Sequence, residues 1–254
     1  MPAETIRYFL QIAYKGTQYC GWQQQQNATT VQGVLEAFLL TVLKVPIKIV
    51  GSSRTDTGVH AQQQFAHMDL ASTVAVDRLQ YQLNAVLPPD ISILAIRPVT
   101  PTAHARFDAL ARTYVYTIVQ HKDPFQYETS YCLRGALDIA KMNKAAAVLC
   151  RKQDFKSLCK VRPHDAHFLC TIMEAGWWIQ EEQLIFRIKA NRFLRSMVRM
   201  IVSLLLQVGQ KKLSLPAFEA IIDQKARGPV ASLVPARGLT LMQVTYPAST
   251  FLVP

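Results

Sequence analysis

The sequence Gly51-Ser52-Ser53-Arg54-Thr55-Asp56-Thr57-Gly58-Val59-His60-Ala61 lies between two runs that read as strands, 47–50 and 63–70. This constrains the fold most, because a polar loop must hold Arg54, Asp56 and His60 between two apolar elements. An arginine two residues before a carboxylate in extended chain puts both on one side. A nearby guanidinium favours the charged carboxylate. Gly58 allows a positive φ, and the threonines supply turn chemistry. Two readings fit the bare pattern: an ordinary bend closed by an Arg54–Asp56 ion pair, or a loop presenting an ionised carboxylate in a basic groove.

Around it the pattern predicts strands at 7–14, 63–70 and 91–99 and helices at 31–42 and 76–86. Thr29 or Thr30 is the expected N-cap of the first helix, which Pro46 ends. Pro98 and Pro101 mark a boundary, giving domains 1–102 and 103–254. In the second part strands are predicted at 112–119, 171–178, 183–190 and 239–246. Helices are predicted at 138–150 with Asp138 as N-cap, at 192–208 ended by Gly209, and at 215–225 with Pro216 in its first turn. The expected class is α+β, with antiparallel sheets covered by helices on one face.

The chain has 254 residues and 50% hydrophobic content, enough for a sizeable core. Its net charge of +11 is uneven. Residues 1–102 carry 7 basic and 6 acidic groups, whereas 103–254 carry 21 and 11. A basic face for a polyanion explains the asymmetry, and a merely basic soluble protein is the alternative. The five cysteines are scattered without a Cys-x-x-Cys, which suits reduced thiols in a cytosol. No basic start followed by an apolar run opens the sequence, and 197–208 is too short to span a bilayer. The expectation is a cytoplasmic protein without a membrane segment.

Further candidates lie elsewhere. On a helix over 192–208, Arg192, Arg195 and Arg199 would form one stripe, either a solvated face or a phosphate-binding one. Tyr114 and Tyr116 share one face of a strand, as core residues or as a stacking platform for a base. His104-Ala105-Arg106-Phe107-Asp108 reads as a loop with contact groups. Cys159, His164, His167 and Cys170 lack zinc-knuckle spacing, so no metal is expected. Arg151, Lys152, Lys156, Lys160 and Arg162 form a basic run that either tracks a phosphate backbone or is solvated loop.

Several strings together resemble the tRNA pseudouridine synthase A (TruA) family. They are Tyr14-Lys15-Gly16-Thr17, Gly21-Trp22-Gln23-Gln24-Gln25, Arg54-Thr55-Asp56-Thr57-Gly58-Val59-His60-Ala61 and His104-Ala105-Arg106-Phe107. Tyr114-Val115-Tyr116, Asp154-Phe155-Lys156-Ser157, Asn191-Arg192-Phe193-Leu194, Met197-Val198-Arg199 and Gly238-Leu239-Thr240-Leu241 follow in order. The resemblance implies two ferredoxin-like, RRM-like α+β domains sharing a central antiparallel sheet, with the active cleft between them. It implies a homodimeric isomerase that needs no cofactor and converts uridine to pseudouridine at positions 38, 39 and 40 of the tRNA anticodon stem-loop.

Carried over by position, Asp56 is the essential carboxylate, Tyr114 lies against the target base, Arg199 pairs with Asp56 and Leu239 packs beside the site. Arg54 is the candidate to fill the space that a flipped base leaves. His60 and Arg106 complete the substrate-binding set. Asp56 either attacks C1′ of the ribose or takes the C2′ proton, and Tyr114 removes or relays the C5 proton. Ser53 and Ser203 depart from the family pattern, standing where glycine is usual. The alternatives are a synthase of altered target position or RNA class, or a non-catalytic tRNA-binding or folding module.

Overall fold

The computed structural model describes residues 5–160, 167–224 and 232–252. In chain order the main elements are β1 (Thr5–Tyr14), α1 (Val31–Leu43), β2 (Val50–Gly51), β3 (His60–Ala71), α2 (Val76–Val86), β4 (Ile91–Pro98), β5 (Ala111–Val119), β6 (Tyr131–Cys132), α3 (Ile139–Leu149), β7 (Ile172–Gln180), β8 (Gln183–Ala190), α4 (Met197–Gly209), α5 (Leu215–Asp223) and β9 (Leu239–Thr245). They fall into two compact units, Met1–Leu110 with Leu241–Pro254, and Ala111–Thr240. Segment 103–110 and the end of the chain thus pack with the first unit. Among the described residues no helix is long and apolar enough to cross a membrane.

In the first unit the strands run in the order β4-β1-β3, with β2 and the later part of β9 also bordering β3. β1 pairs antiparallel with β3, from Thr5 opposite Ala71 to Ile12 opposite Gln64, and antiparallel with β4 on its other side. The β1-α1-β2-β3-α2-β4 sequence with order β4-β1-β3-β2 is the ferredoxin-like plan. Thr30 caps α1, its hydroxyl accepting from Gly33 N at 3.2 Å. Lys44 ends the helix at φ 60, two residues before Pro46. Phe9, Phe65, Tyr246 and Phe251 build the aromatic core, with neighbouring ring centroids 5.1 to 6.3 Å apart.

The second unit places β8 between β5 and β7, antiparallel to both. Its β5-α3-β7-β8-α4 succession follows the first five steps of the same plan. β7 and β8 close through Glu181 and Glu182 at φ 47 and 65, the two left-handed residues a two-residue hairpin turn requires. Asp138 caps α3 by accepting from Lys141 N, and Ser214 caps α5 by accepting from Ala217 N. The α+β class with mostly antiparallel strands is as expected and consistent with the pseudouridine synthase fold.

Four expectations need correction. The strand predicted at 47–50 is reduced to Val50–Gly51. Glu36 accepts from Ile49 N at 3.2 Å, and Gln32 Nε2 donates to Ile49 O at 3.0 Å. Side chains from α1 therefore satisfy the backbone that a ladder would have used. The helix predicted at 192–208 starts only at Met197, because Ser196 stands at φ 58 and interrupts the spiral. Arg192 and Arg195 precede the helix, so no single helical stripe joins them to Arg199.

Gly209 is not a C-cap but the last helical residue, and Lys211 at φ 60 takes the left-handed position. A Cβ on Gly209 would lie 2.5 Å from Met142 Sδ, so glycine lets α4 approach α3. The helix at 215–225 ends at Asp223, and Lys225 lies outside the described residues.

Candidate active site

Asp56 stands on the loop joining β2 to β3, and its main chain is tied down on both flanks. Trp22 N donates to Thr55 O at 3.2 Å, and Val59 N donates to Asp56 O at 3.1 Å. Gly58, at φ 76, donates its N–H to Tyr19 O at 3.3 Å. Gly21 stands at φ 85, and a Cβ there would lie 2.5 Å from Thr55 O. The loop is thus moulded onto the segment after β1. Thr55 is buried, its Oγ1 2.8 Å from the Tyr14 hydroxyl, whereas Asp56 is half-buried and Arg54 exposed. Anchored Thr55 between two solvent-reaching charges is how the loop presents a carboxylate.

Tyr19 donates its hydroxyl to Asp90 Oδ1 at 2.6 Å, and burial followed by that bond pushes its pKa upward. It is held as a neutral donor behind the loop. His60 is 4% exposed, and its Nδ1 accepts from Gly16 N at 3.0 Å. That bond fixes the junction between the 16–22 segment and the start of β3. Arg54 forms no ion pair with Asp56 among the described residues, and backbone bonds close the bend.

Arg106 lies in the same unit on the loop after β4, exposed, with its guanidinium carbon 5.5 Å from the Phe107 ring centroid. Phe107 is 73% exposed and packs on His104 at 4.3 Å. His67 from β3 fixes this loop, its Nδ1 accepting from Ala105 N at 3.1 Å.

The second unit carries the other candidates. Tyr114 on β5 is 8% exposed and meets Phe193 edge-to-face at 5.2 Å. Tyr116, on the same side of the strand, is fully buried and donates to Pro235 O at 2.8 Å. It is a core tyrosine. Arg199 lies in the first turn of α4 and donates Nε–H to Val234 O at 2.8 Å, which orients its guanidinium. Leu239 opens β9 and is buried. Ser203 Oγ donates to Ser232 O at 2.8 Å, so the serine at this position gains a bond glycine could not make.

Cys159 and Cys170 are both buried free thiols, and burial pushes Cys170 up to about 11. Among the described residues no group of three or more potential ligands could hold a metal ion, and His164 and Arg162 lie outside them.

Sequence reasoning missed the residues that hold the Asp56 loop and the 103–109 loop in shape: Tyr14, Tyr19, Asp90 and His67. Only the turn chemistry at Gly21 hinted at a shaped segment there.

The model of the tRNA pseudouridine synthase family matches residues 11–108 and 145–247. The chain belongs to the tRNA pseudouridine synthase family. It is 43% identical over 246 residues to tRNA pseudouridine synthase A of Parabacteroides distasonis, covering 96% of this chain and 98% of that one. It is 43% identical over 250 residues to tRNA pseudouridine synthase A of Porphyromonas gingivalis, covering 97% and 99%. The protein of that name from Chlorobaculum tepidum is 38% identical over 238 residues, covering 93% and 96%. Family membership bears out the expected enzyme class, an isomerase of the tRNA pseudouridine synthase type. Arg54, Asp56, His60 and Arg106 fall in the first matched segment and Arg199 and Leu239 in the second, while Tyr114 lies between the two.

Proposed function

We propose that this chain isomerises uridine to pseudouridine at positions 38 to 40 of the tRNA anticodon stem-loop, with Asp56 as its essential carboxylate. It works as a cytoplasmic homodimer without a cofactor. The observation that carries the reading is the placement of Asp56 within a family-matched segment, on a loop braced from both sides yet open to solvent. Such bracing suits a group that must meet a ribose in a fixed geometry.

In the reaction the N1–C1′ bond breaks, the uracil turns, and a C5–C1′ bond forms. C5 then loses its proton and N1 ends protonated, so no electrons are exchanged. Asp56 acts at the ribose, as nucleophile on C1′ or as base at C2′. Tyr114 lies against the base and takes or relays the C5 proton. Arg199 balances the carboxylate charge, and Leu239 packs against the uracil. Arg54 occupies the stack that the flipped nucleotide leaves. Arg106 meets the RNA from its exposed loop, and His60 contributes through the loop it holds.

The test is pseudouridine mapping of tRNA incubated with purified protein. Asp56→Asn is expected to abolish product while leaving tRNA binding within a few-fold. Product at other uridines would establish an altered target, and binding without product in the parent protein would establish a non-catalytic module.

A further inference from the structure

Four lysines converge on a surface pocket of about 420 Å³ in the second unit, two from α3 and two from the turn between α4 and α5. They are Lys141, Lys144, Lys211 and Lys212, around an apolar floor that includes Val208 and Leu213. All four are exposed. Among the described residues Asp138 alone pairs with any of them, at 3.3 Å from Lys141. One carboxylate against four ammonium groups leaves the pocket strongly positive, and a concave wall focuses that potential.

Local helix electrostatics explains only half of the cluster. Lys211 and Lys212 follow the C-terminus of α4, where cations complement the free carbonyls. Lys141 stands in the first turn of α3, the positive end of that helix, where cations are disfavoured, and Lys144 lies a turn further on, where the helix dipole favours no cation. Asp138 offsets Lys141. Among the described residues no carboxylate forms an ion pair with Lys144, which lines the pocket together with the other pair. An external anion resolves that repulsion.

We propose that this pocket binds backbone phosphates of the tRNA away from the target nucleotide, a second anchoring point for the substrate. The inference rests on the tRNA reading above. A phosphodiester suits the site because lysine meets phosphate as a mobile point charge, while the apolar floor supports the lysine stems.

The test compares the K144Q/K212Q double variant with the parent and with R78Q/K122Q, which removes equal charge from exposed positions elsewhere. Lys141 and Lys211 are left in place because one pairs with Asp138 and the other holds a left-handed turn. Full-length tRNA binding is measured from 50 to 200 mM salt, with thermal melting to confirm that each variant is folded. For K144Q/K212Q the expected result is binding about tenfold weaker and a log–log salt slope shallower by about 2. The rate of pseudouridine formation at saturating tRNA should be unchanged. A slope equal to that of the parent, or a loss no larger than that of R78Q/K122Q, overturns the proposal. A parent that binds tRNA with this lysine dependence but forms no pseudouridine leaves the pocket standing and removes the catalytic reading instead.

Discussion

The Tyr14 hydroxyl lies 2.8 Å from Thr55 Oγ1 in a buried contact, one residue before Asp56 along the chain. It ties the end of β1 to the loop that carries the carboxylate. Tyr14→Phe removes the hydroxyl and little else. Leaving the buried threonine without this partner is expected to lower stability by about 1–2 kcal/mol. Because the anchor sits next to Asp56, kcat should fall about tenfold or more while tRNA affinity holds. Denaturant unfolding and single-turnover assays would check both, and a stability loss with unchanged kcat would reduce Tyr14 to a packing residue.

Gly21 sets a sharper test, with an internal control. It stands at φ 85 with the Thr55 carbonyl where a Cβ would go, whereas Gly135 stands at φ 105 with open space around it. Gly135→Ala meets only the backbone penalty, on the order of 1 kcal/mol. Gly21→Ala meets that penalty and a main-chain clash that no rotamer relieves. We expect it to lose about 2 kcal/mol or more of stability and most of its turnover, by displacing the Asp56 loop. Thermal unfolding and activity of the two variants side by side would check this.

The elements with strong local signals were legible in the sequence. α1, α2 and α3 follow from apolar spacing, and Thr30 and Asp138 from capping chemistry. What misled the reading was long-range. The backbone of Ile49 reads as a strand, but Glu36 and Gln32 reach across from α1 and take its hydrogen bonds. Arg192 to Ser196 fits a helical period, yet one left-handed residue at Ser196 cuts it off. The Asp56 loop was legible as a polar turn between two apolar elements, because Gly58 and the flanking threonines carry turn chemistry. Its supports were not, since Tyr14 and Gly21 act from more than thirty residues away and only folding brings them to the loop.

A pH effect follows from His67. Burial first, and then the neighbouring His104 and Arg7, lower its pKa from 6.5 to about 4, against the opposing pull of Asp69 and Asp108. Its Nδ1 must stay unprotonated to accept from Ala105 N. The unfolded chain therefore takes up a proton more readily than the folded one across that interval, and stability rises with pH there. The contribution is full above about 6.5 and is lost as pH falls toward about 4. His67→Asn keeps an acceptor near the Nδ1 position without a titrating group. Unfolding midpoints at several pH values between 4 and 7 should fall more steeply for the parent than for this variant, and parallel curves would rule His67 out as the source.

Arg54 separates folding from function. Its side chain is exposed, and among the described residues it forms no ion pair with Asp56. Arg54→Ala should therefore change stability by no more than about 0.5 kcal/mol, as surface substitutions usually do. If its guanidinium fills the stack vacated by the flipped uridine, the variant loses the compensation for unstacking, a few kcal/mol when the nucleotide is paired. The deficit should then depend on the substrate. A stem in which the target uridine is base-paired should react about a hundredfold more slowly with the variant, whereas a mismatched stem should lose far less. Equal losses on both stems would assign Arg54 to phosphate binding instead, and in that case the salt dependence of tRNA affinity would flatten by about one unit in the same variant.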